Sequence, residues 1–100
     1  MTYRNKKILD ASRGEPCTMR GPNCNGDSAT TVAAHSNLLS DGKGMRIKAH
    51  DCFVAFLCSG CHDWYDGRKT SSYSADAKQD WFNTAMKRTW LRLLELGVLK

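Results

Sequence analysis

Phe53-Val54-Ala55-Phe56-Leu57-Cys58-Ser59-Gly60-Cys61-His62-Asp63-Trp64-Tyr65-Asp66 is the stretch on which the fold turns. Its first five residues are apolar, rich in aromatic and β-branched side chains, and read as a short buried strand. The strand runs into Cys58-x-x-Cys61, a spacing that lets one tight turn aim two thiolates at a single tetrahedral metal. If the chain turns helical after Cys61, His62 and Asp66 lie four residues apart on one face and converge. One short segment then carries half of a structural metal site and part of a second, functional site.

Working upstream, Glu15 to Gly26 contains two glycines, two prolines and two asparagines, which make it a turn-rich knuckle. Cys17 and Cys24 bracket that knuckle, and such a loop can fold back on one ion. Cys17, Cys24, Cys58 and Cys61 therefore read as a four-thiolate structural zinc (Zn2+) site. At 100 residues the chain is expected to form a single domain, 1–100, with a modest core. A closed zinc site contributes about 10–16 kcal/mol of apparent binding energy. That is comparable to the whole stability of a small domain, about 5–15 kcal/mol. Cys52 is left over and reads as a small buried hydrophobe.

The remaining elements follow from pattern. Lys6 to Ser12 is a short helix stopped at Arg13-Gly14, and Ala29 to His35 is a second strand ending in a histidine. Ser36 to Ile47 is a loop with Ser40-Asp41-Gly42-Lys43-Gly44 as its tip, and His50 reads as an exposed loop residue. Strand, loop, strand, Cys-x-x-Cys-His and helix make a ββα unit. After a polar linker, Gly67 to Tyr73, Ser74 is placed as the N-cap of a long helix, and Gly97 ends it. Trp81, Phe82, Ala85, Met86, Trp90, Leu93 and Leu94 form its apolar stripe. Lys87, Arg88 and Arg92 read as a solvated face. The expected class is α+β: a small zinc-stapled domain with a short N-terminal and a long C-terminal helix.

The net charge of +5 and pI near 9.1 suit a polyanionic partner. No run approaches the roughly 20 apolar residues of a membrane span, and Met1 to Lys7 leads into no leader-like apolar region. The expected compartment is the cytoplasm, where paired cysteines more often bind metal than form disulfides. Cys58-Ser59-Gly60-Cys61-His62 also matches the c-type haem attachment pattern, but that reading needs export and leaves Cys17 and Cys24 without a role. A thioredoxin-like role needs a βαβ order that this chain lacks.

From about Ala11 onward the chain resembles the YbcO-like nucleases of phages and prophages, within the HNH or His-Me finger (ββα-metal) superfamily. The likeness rests on Arg13-Gly14 before Cys17, on Cys24-Asn25-Gly26, on Ala34-His35, and on Asp51. It continues through Cys58-x-x-Cys61-His62-Asp63-x-x-Asp66-x-Arg68. The resemblance implies a bacterial host and a phage or prophage gene, a structural zinc on the four cysteines, and a hydrolytic site between His35 and the finger helix. Carried over by position, His35 is the general base and His62 a ligand of a catalytic divalent cation. Two positions depart from the commoner HNH pattern: Ala34 stands where an acidic ligand is frequent, and Asp51 is the nearest polar residue to the central Asn position.

The chemistry implied is metal-dependent endonucleolytic cleavage of phosphodiester bonds in nucleic acid, most simply DNA. A neutral imidazole can take a proton from water at physiological pH. Mg2+ or Mn2+ would polarise the phosphate and stabilise the leaving oxygen. His62 with Asp66 supplies a mixed nitrogen and oxygen ligand pair, with Asp63 as an alternative carboxylate, and Arg68 is placed to clamp a phosphate oxygen. Each has a structural counter-reading: His35 as a capped strand end, His62 as a zinc ligand or turn cap, Asp66 as a surface partner of Arg68 or Lys69, and Asp63 as a first-turn carboxylate. Trp64 and Tyr65 read as packing against the terminal helix rather than as base-stacking groups. The rival function is a non-catalytic zinc module that binds nucleic acid or a protein partner. Oligomeric state is open, and a homodimer would suit branched DNA.

Overall fold

The structure, a computed structural model, describes residues 2–67 and 71–99. Asn5 opens helix α1 (Lys6–Ala11), its side chain accepting from the Lys7 amide at 3.0 Å. Two strands, β1 (Val32–His35) and β2 (Val54–Leu57), pair antiparallel. Helix α2 (Ser59–Tyr65) follows β2 directly, and helix α3 (Ala75–Glu95) completes the fold. The ββα order expected from the sequence is therefore present, with an α+β architecture.

Several boundaries differ from expectation: β2 starts at Val54, leaving Phe53 a half-buried bend residue, α1 ends at Ala11 with Ser12 as its C-cap, and two further ends shift. Ser28–Thr30 forms a 3-10 turn, with the Asp27 side chain accepting from the Ala29 amide, so the first strand starts at Val32 rather than Ala29. Helix α2 begins at Ser59, before Cys61. The Cys58 sulfur caps it by accepting from the Cys61 amide at 3.5 Å, a role that Ser or Asp more commonly fills.

The hairpin register pairs His35 with Val54 and Val32 with Leu57, which puts His35 and Cys58 at opposite ends of the sheet. From Val54 to Leu57 the strand advances about 10 Å. From Cys58 to Asp66 a helix advances about 12 Å. A helix folded back along β2 thus returns its C-terminal end to the level of His35. The return is fixed at Asn37, whose amide donates to the Tyr65 hydroxyl at 2.9 Å and whose side chain donates to Asp66 Oδ1 at 3.2 Å.

All four β2 residues are buried, because both faces of the sheet are covered. Ala55 and Leu57 join the four-cysteine end, Trp64, Tyr65, Phe82, Ala85 and Met86 on one side. Val54 and Phe56 pack with Ile8 and Leu93 on the other. The open edge of β2 is closed by threonines. The Phe56 amide donates to Thr89 Oγ1 at 3.0 Å, and the Phe56 carbonyl accepts from the Thr18 amide at 2.8 Å. Thr89 is fully buried in the middle of α3, and its hydroxyl also reaches the Ala85 carbonyl.

Ser74 caps α3 as expected, accepting from the Ala77 amide at 3.1 Å. Gly97, at φ +75°, ends it with paired bonds from the Val98 amide to Leu93 and from the Gly97 amide to Leu94, a Schellman arrangement. Within the expected stripe Phe82, Ala85, Met86 and Leu93 are buried and Trp90 is half-buried, whereas Trp81 and Leu94 lie at the exposed margin. Trp64 and Tyr65 do pack against α3: Trp64 meets Trp81 edge-on at 6.0 Å, and Tyr65 stacks on Phe82 at 4.4 Å. The expected solvated face is only partly so. Arg88 donates to the Thr18 carbonyl at 2.8 Å and Arg92 pairs with Glu15, because the knuckle lies alongside α3.

Candidate functional site

The sulfurs of Cys17, Cys24, Cys58 and Cys61 all lie within 4.8 Å of one another. A tetrahedral zinc with sulfur bonds of about 2.3 Å has sulfur–sulfur edges of about 3.8 Å, and the Cys24–Cys58 pair stands at 3.7 Å. Soft thiolate donors in that arrangement suit zinc or iron rather than a hard cation. The knuckle reaches α2 because Gly60 has no side chain: a Cβ there would fall 2.0 Å from the Asn23 carbonyl oxygen. The Cys58 sulfur also accepts from the Asn25 amide at 3.5 Å, as second partners of metal-bound thiolates do. Crowded together, the thiols share charge unequally. The hydrogen bond from Cys61 holds Cys17 down at about 4, and the same bond, with burial, pushes Cys61 far up. Cys52 lies outside the cluster and is half-buried rather than core, with burial raising its thiol.

At the other end of the sheet a cleft of about 600 Å³ opens between α1, β1 and α2. His35, His62 and Asp66 line it, with Arg13, Lys43 and Lys48 among its basic members. His35 Nε2 stands 2.8 Å from Asp51 Oδ1. Asp51 is almost fully buried and also accepts from the Asn5 amide at 2.6 Å and from Arg4 at 3.1 Å. Burial alone would push the Asp51 carboxyl up. The hydrogen bonds from His35 and Asn5 and the nearby positive charge outweigh it, so the group lies below its ordinary value of 3.8. An ionised carboxylate only accepts. In a neutral His35 ring, Nε2 therefore carries the proton and Nδ1 is the basic nitrogen.

Across the cleft, His62 Nε2 and Asp66 Oδ2 are 3.0 Å apart. Adjacent ligands on an octahedral cation with bonds of about 2.1 Å are spaced about 3.0 Å. The same 3.0 Å is the length of a direct hydrogen bond between the two side chains, and it is also compatible with neighbouring ligand positions on a divalent ion. Asp63 lies about 100° round the helix from His62 and is not among the residues lining the cleft. Among the described residues only the four cysteines bring three or more ligand groups together. Arg68 and Lys69 lie outside the described residues, so the phosphate clamp placed at Arg68 and the surface pairing considered for Asp66 do too.

A family model described as "Putative nuclease YbcO" matches residues 6–98. The chain belongs to the YbcO family. A solved structure described as that of a putative bacteriophage protein from Escherichia coli str. K-12 substr. MG1655 is 33% identical to this YbcO-family chain. The match covers 89% of this chain and 98% of that one, with a TM-score of 0.69. No curated protein matches. The resemblance read from about Ala11 onward is thereby confirmed at the level of family. Among the described residues, no helix is long and apolar enough to cross a membrane.

Three participants were not assigned these roles from the sequence. Asp51 stood only as a nearby polar residue, and its bond to His35 closes across the whole β1–β2 connection. Arg4 reaches Asp51 from 47 positions away. Asn37 holds Asp66 from 29. No spacing rule signals such contacts, since each depends on the folded path of a loop. His50, expected as an exposed loop residue, is half-buried and accepts from the Tyr3 amide at 2.8 Å.

Proposed function

We propose that this YbcO-family protein is a metal-dependent endonuclease of the HNH or His-Me finger type that hydrolyses phosphodiester bonds in DNA. The observation that carries the reading is the opposition, across one basic-rimmed cleft, of a carboxylate-oriented histidine and a histidine–carboxylate pair.

In this reading His35 is the general base. Asp51 fixes its ring with Nε2–H toward the carboxylate, so Nδ1 takes the proton from a water molecule. The water oxygen forms the new bond to phosphorus as the bond to the 3′-oxygen breaks, and that oxygen leaves with a proton from solvent. His62 and Asp66 would hold the cation, and the Asn37 side chain, donating to Asp66 Oδ1, fixes the orientation of that carboxylate. A bound Mg2+ or Mn2+ supplies neutralisation of charge on the phosphate and leaving oxygens. Arg13, Lys43 and Lys48 draw the polyanion in. At the far end of the sheet Cys17, Cys24, Cys58 and Cys61 hold structural zinc and fix the start of α2.

A second reading, a zinc module that binds without cutting, is favoured by one observation: the cleft offers two converging donors, with Ala34 on its wall where the commoner pattern has an acidic ligand. Cleavage of supercoiled and single-stranded DNA with Mg2+ or Mn2+ decides between them. Nicking by the wild type that His35→Ala abolishes, at unchanged zinc content and fold, supports the nuclease. Salt-sensitive DNA binding without any nicking supports the module, and equal nicking by both proteins removes His35 as the base.

A further inference from the structure

The β1–β2 connection is not a slack loop. Gly44 and Ile47 exchange hydrogen bonds in both directions, 3.0 and 3.1 Å, and turn the chain tightly at Met45-Arg46. Its base is pinned: Arg4 donates to the Lys48 carbonyl at 2.9 Å and the Ala49 carbonyl at 2.6 Å, and the His50 amide donates to the Asp41 carbonyl. A short, anchored arm therefore stands on the rim of the cleft.

What the arm presents is unusual for a solvent loop. Met45 is 89% exposed at its tip, and Leu39 is 79% exposed in the adjacent 3-10 turn. Lys43 and Lys48 lie on the stem and line the cleft, and Arg46 is exposed at the tip. Asp41, the one carboxylate between Leu39 and Lys48, is half-buried and accepts from the Ser36 hydroxyl at 2.6 Å. Arg46 sits at φ +58°, a left-handed position that favours glycine. A long cation thus occupies the place where the turn alone would take the smallest residue. Folding does not require this combination, and a bent duplex is complementary to it. Proteins that open the minor groove insert an apolar wedge, Met among them, between base steps while cations hold the flanking phosphates.

We propose that this arm is a duplex-DNA wedge: Met45 inserts at a base step while Lys43, Arg46 and Lys48 bind the adjoining phosphates, presenting the strand to the cleft. The inference rests on the nuclease reading and names how that site meets its substrate. Apolar tip and basic stem complement the two parts of a duplex, stacked bases inside and phosphates outside.

The test uses the full-length, zinc-loaded His35→Ala protein, which is expected to bind without cutting, and a short DNA duplex carrying 2-aminopurine. Binding is expected to raise the fluorescence of the probe as its base unstacks. Adding Met45→Ser should remove most of that rise while changing affinity by no more than about threefold, because phosphate contacts dominate binding. Adding Arg46→Gly should keep or raise the melting temperature, yet lower the slope of log affinity against log salt by about one. An unchanged rise in the Met45→Ser protein, or no rise in either, overturns the wedge. So does a wild-type dimer in sedimentation that Met45→Ser dissociates, which would make the tip a self-association surface. Wild-type cleavage, measured in parallel, separates the two readings: cutting without unstacking ends the wedge alone, and unstacking without cutting ends the nuclease alone.

Discussion

His35, on the wall of the cleft, and Asp51, buried behind it and sixteen residues away, meet at 2.8 Å, and the carboxylate that orients the ring is itself held by the Asn5 amide and Arg4. One buried acid thus ties the candidate base to the start of α1 and to the base of the β1–β2 arm. Disturbing it should be felt both in chemistry and in folding.

Asp51→Asn keeps the shape but presents an amide that can donate to His35 and stabilise the wrong tautomer. On the nuclease reading, DNA cleavage is expected to fall by about a hundredfold or more, in line with the worth of an oriented general base. Because the Asp51 carboxyl is held below its ordinary value of 3.8, its contribution to stability is present above that pH and is lost as pH falls through the lowered folded value. Melting curves from pH 7 down to pH 2.5 should show a steeper acid loss in the wild type than in Asp51→Asn. Parallel curves would deny Asp51 its ionised, hydrogen-bonded role.

Cys58 supplies both a cluster sulfur and the cap of α2. Cys58→Ser, or removal of metal by a strong chelator, is expected to unfold the protein at 25 °C. The apparent energy of a structural zinc, about 10–16 kcal/mol, matches or exceeds the stability of a domain this size. Circular dichroism with zinc quantified by mass spectrometry checks this. A variant with wild-type melting temperature and zinc content would show that the thiolates hold no stabilising ion.

At Gly60 two effects oppose each other. Alanine is the better helix former by about 1 kcal/mol, but its Cβ would fall 2.0 Å from the Asn23 backbone oxygen. The obstacle is main chain, so it must move as a unit, and overpacking of that kind costs about 1–3 kcal/mol. Gly60→Ala should therefore melt lower and lose zinc to a chelator faster than the wild type. A higher melting temperature would mean that the knuckle shifts freely.

Thr89 closes the edge of β2 from inside the core. Thr89→Val keeps the volume and strands the Phe56 amide, at an expected cost of about 1–3 kcal/mol. Thr89→Ser restores the hydroxyl and should recover part of the loss. Denaturant unfolding of the three proteins measures it, and equal midpoints for valine and serine would show that the hydroxyl contributes nothing.

Much of this molecule is legible in the order of its residues. Apolar runs bounded by turn residues marked β2 and α3, and Ser74 and Gly97 marked the ends of α3, because burial and capping are local, periodic demands. The spacing Cys58-x-x-Cys61 announced a ligand pair, since one turn is all such a pair needs. The i,i+4 spacing brought His62 to Asp66 for the same reason. Tertiary structure alone decided that the Asp51 carboxylate turns to His35, that Asn37 steadies Asp66, and that Thr89 mends a sheet edge. Each of those contacts joins segments far apart in sequence, and their meeting depends on sheet register and on the length match between β2 and α2. Whether Met45 is an idle loop residue or the tip of an anchored arm was likewise invisible until the Arg4 and Gly44–Ile47 bonds fixed the path of the chain.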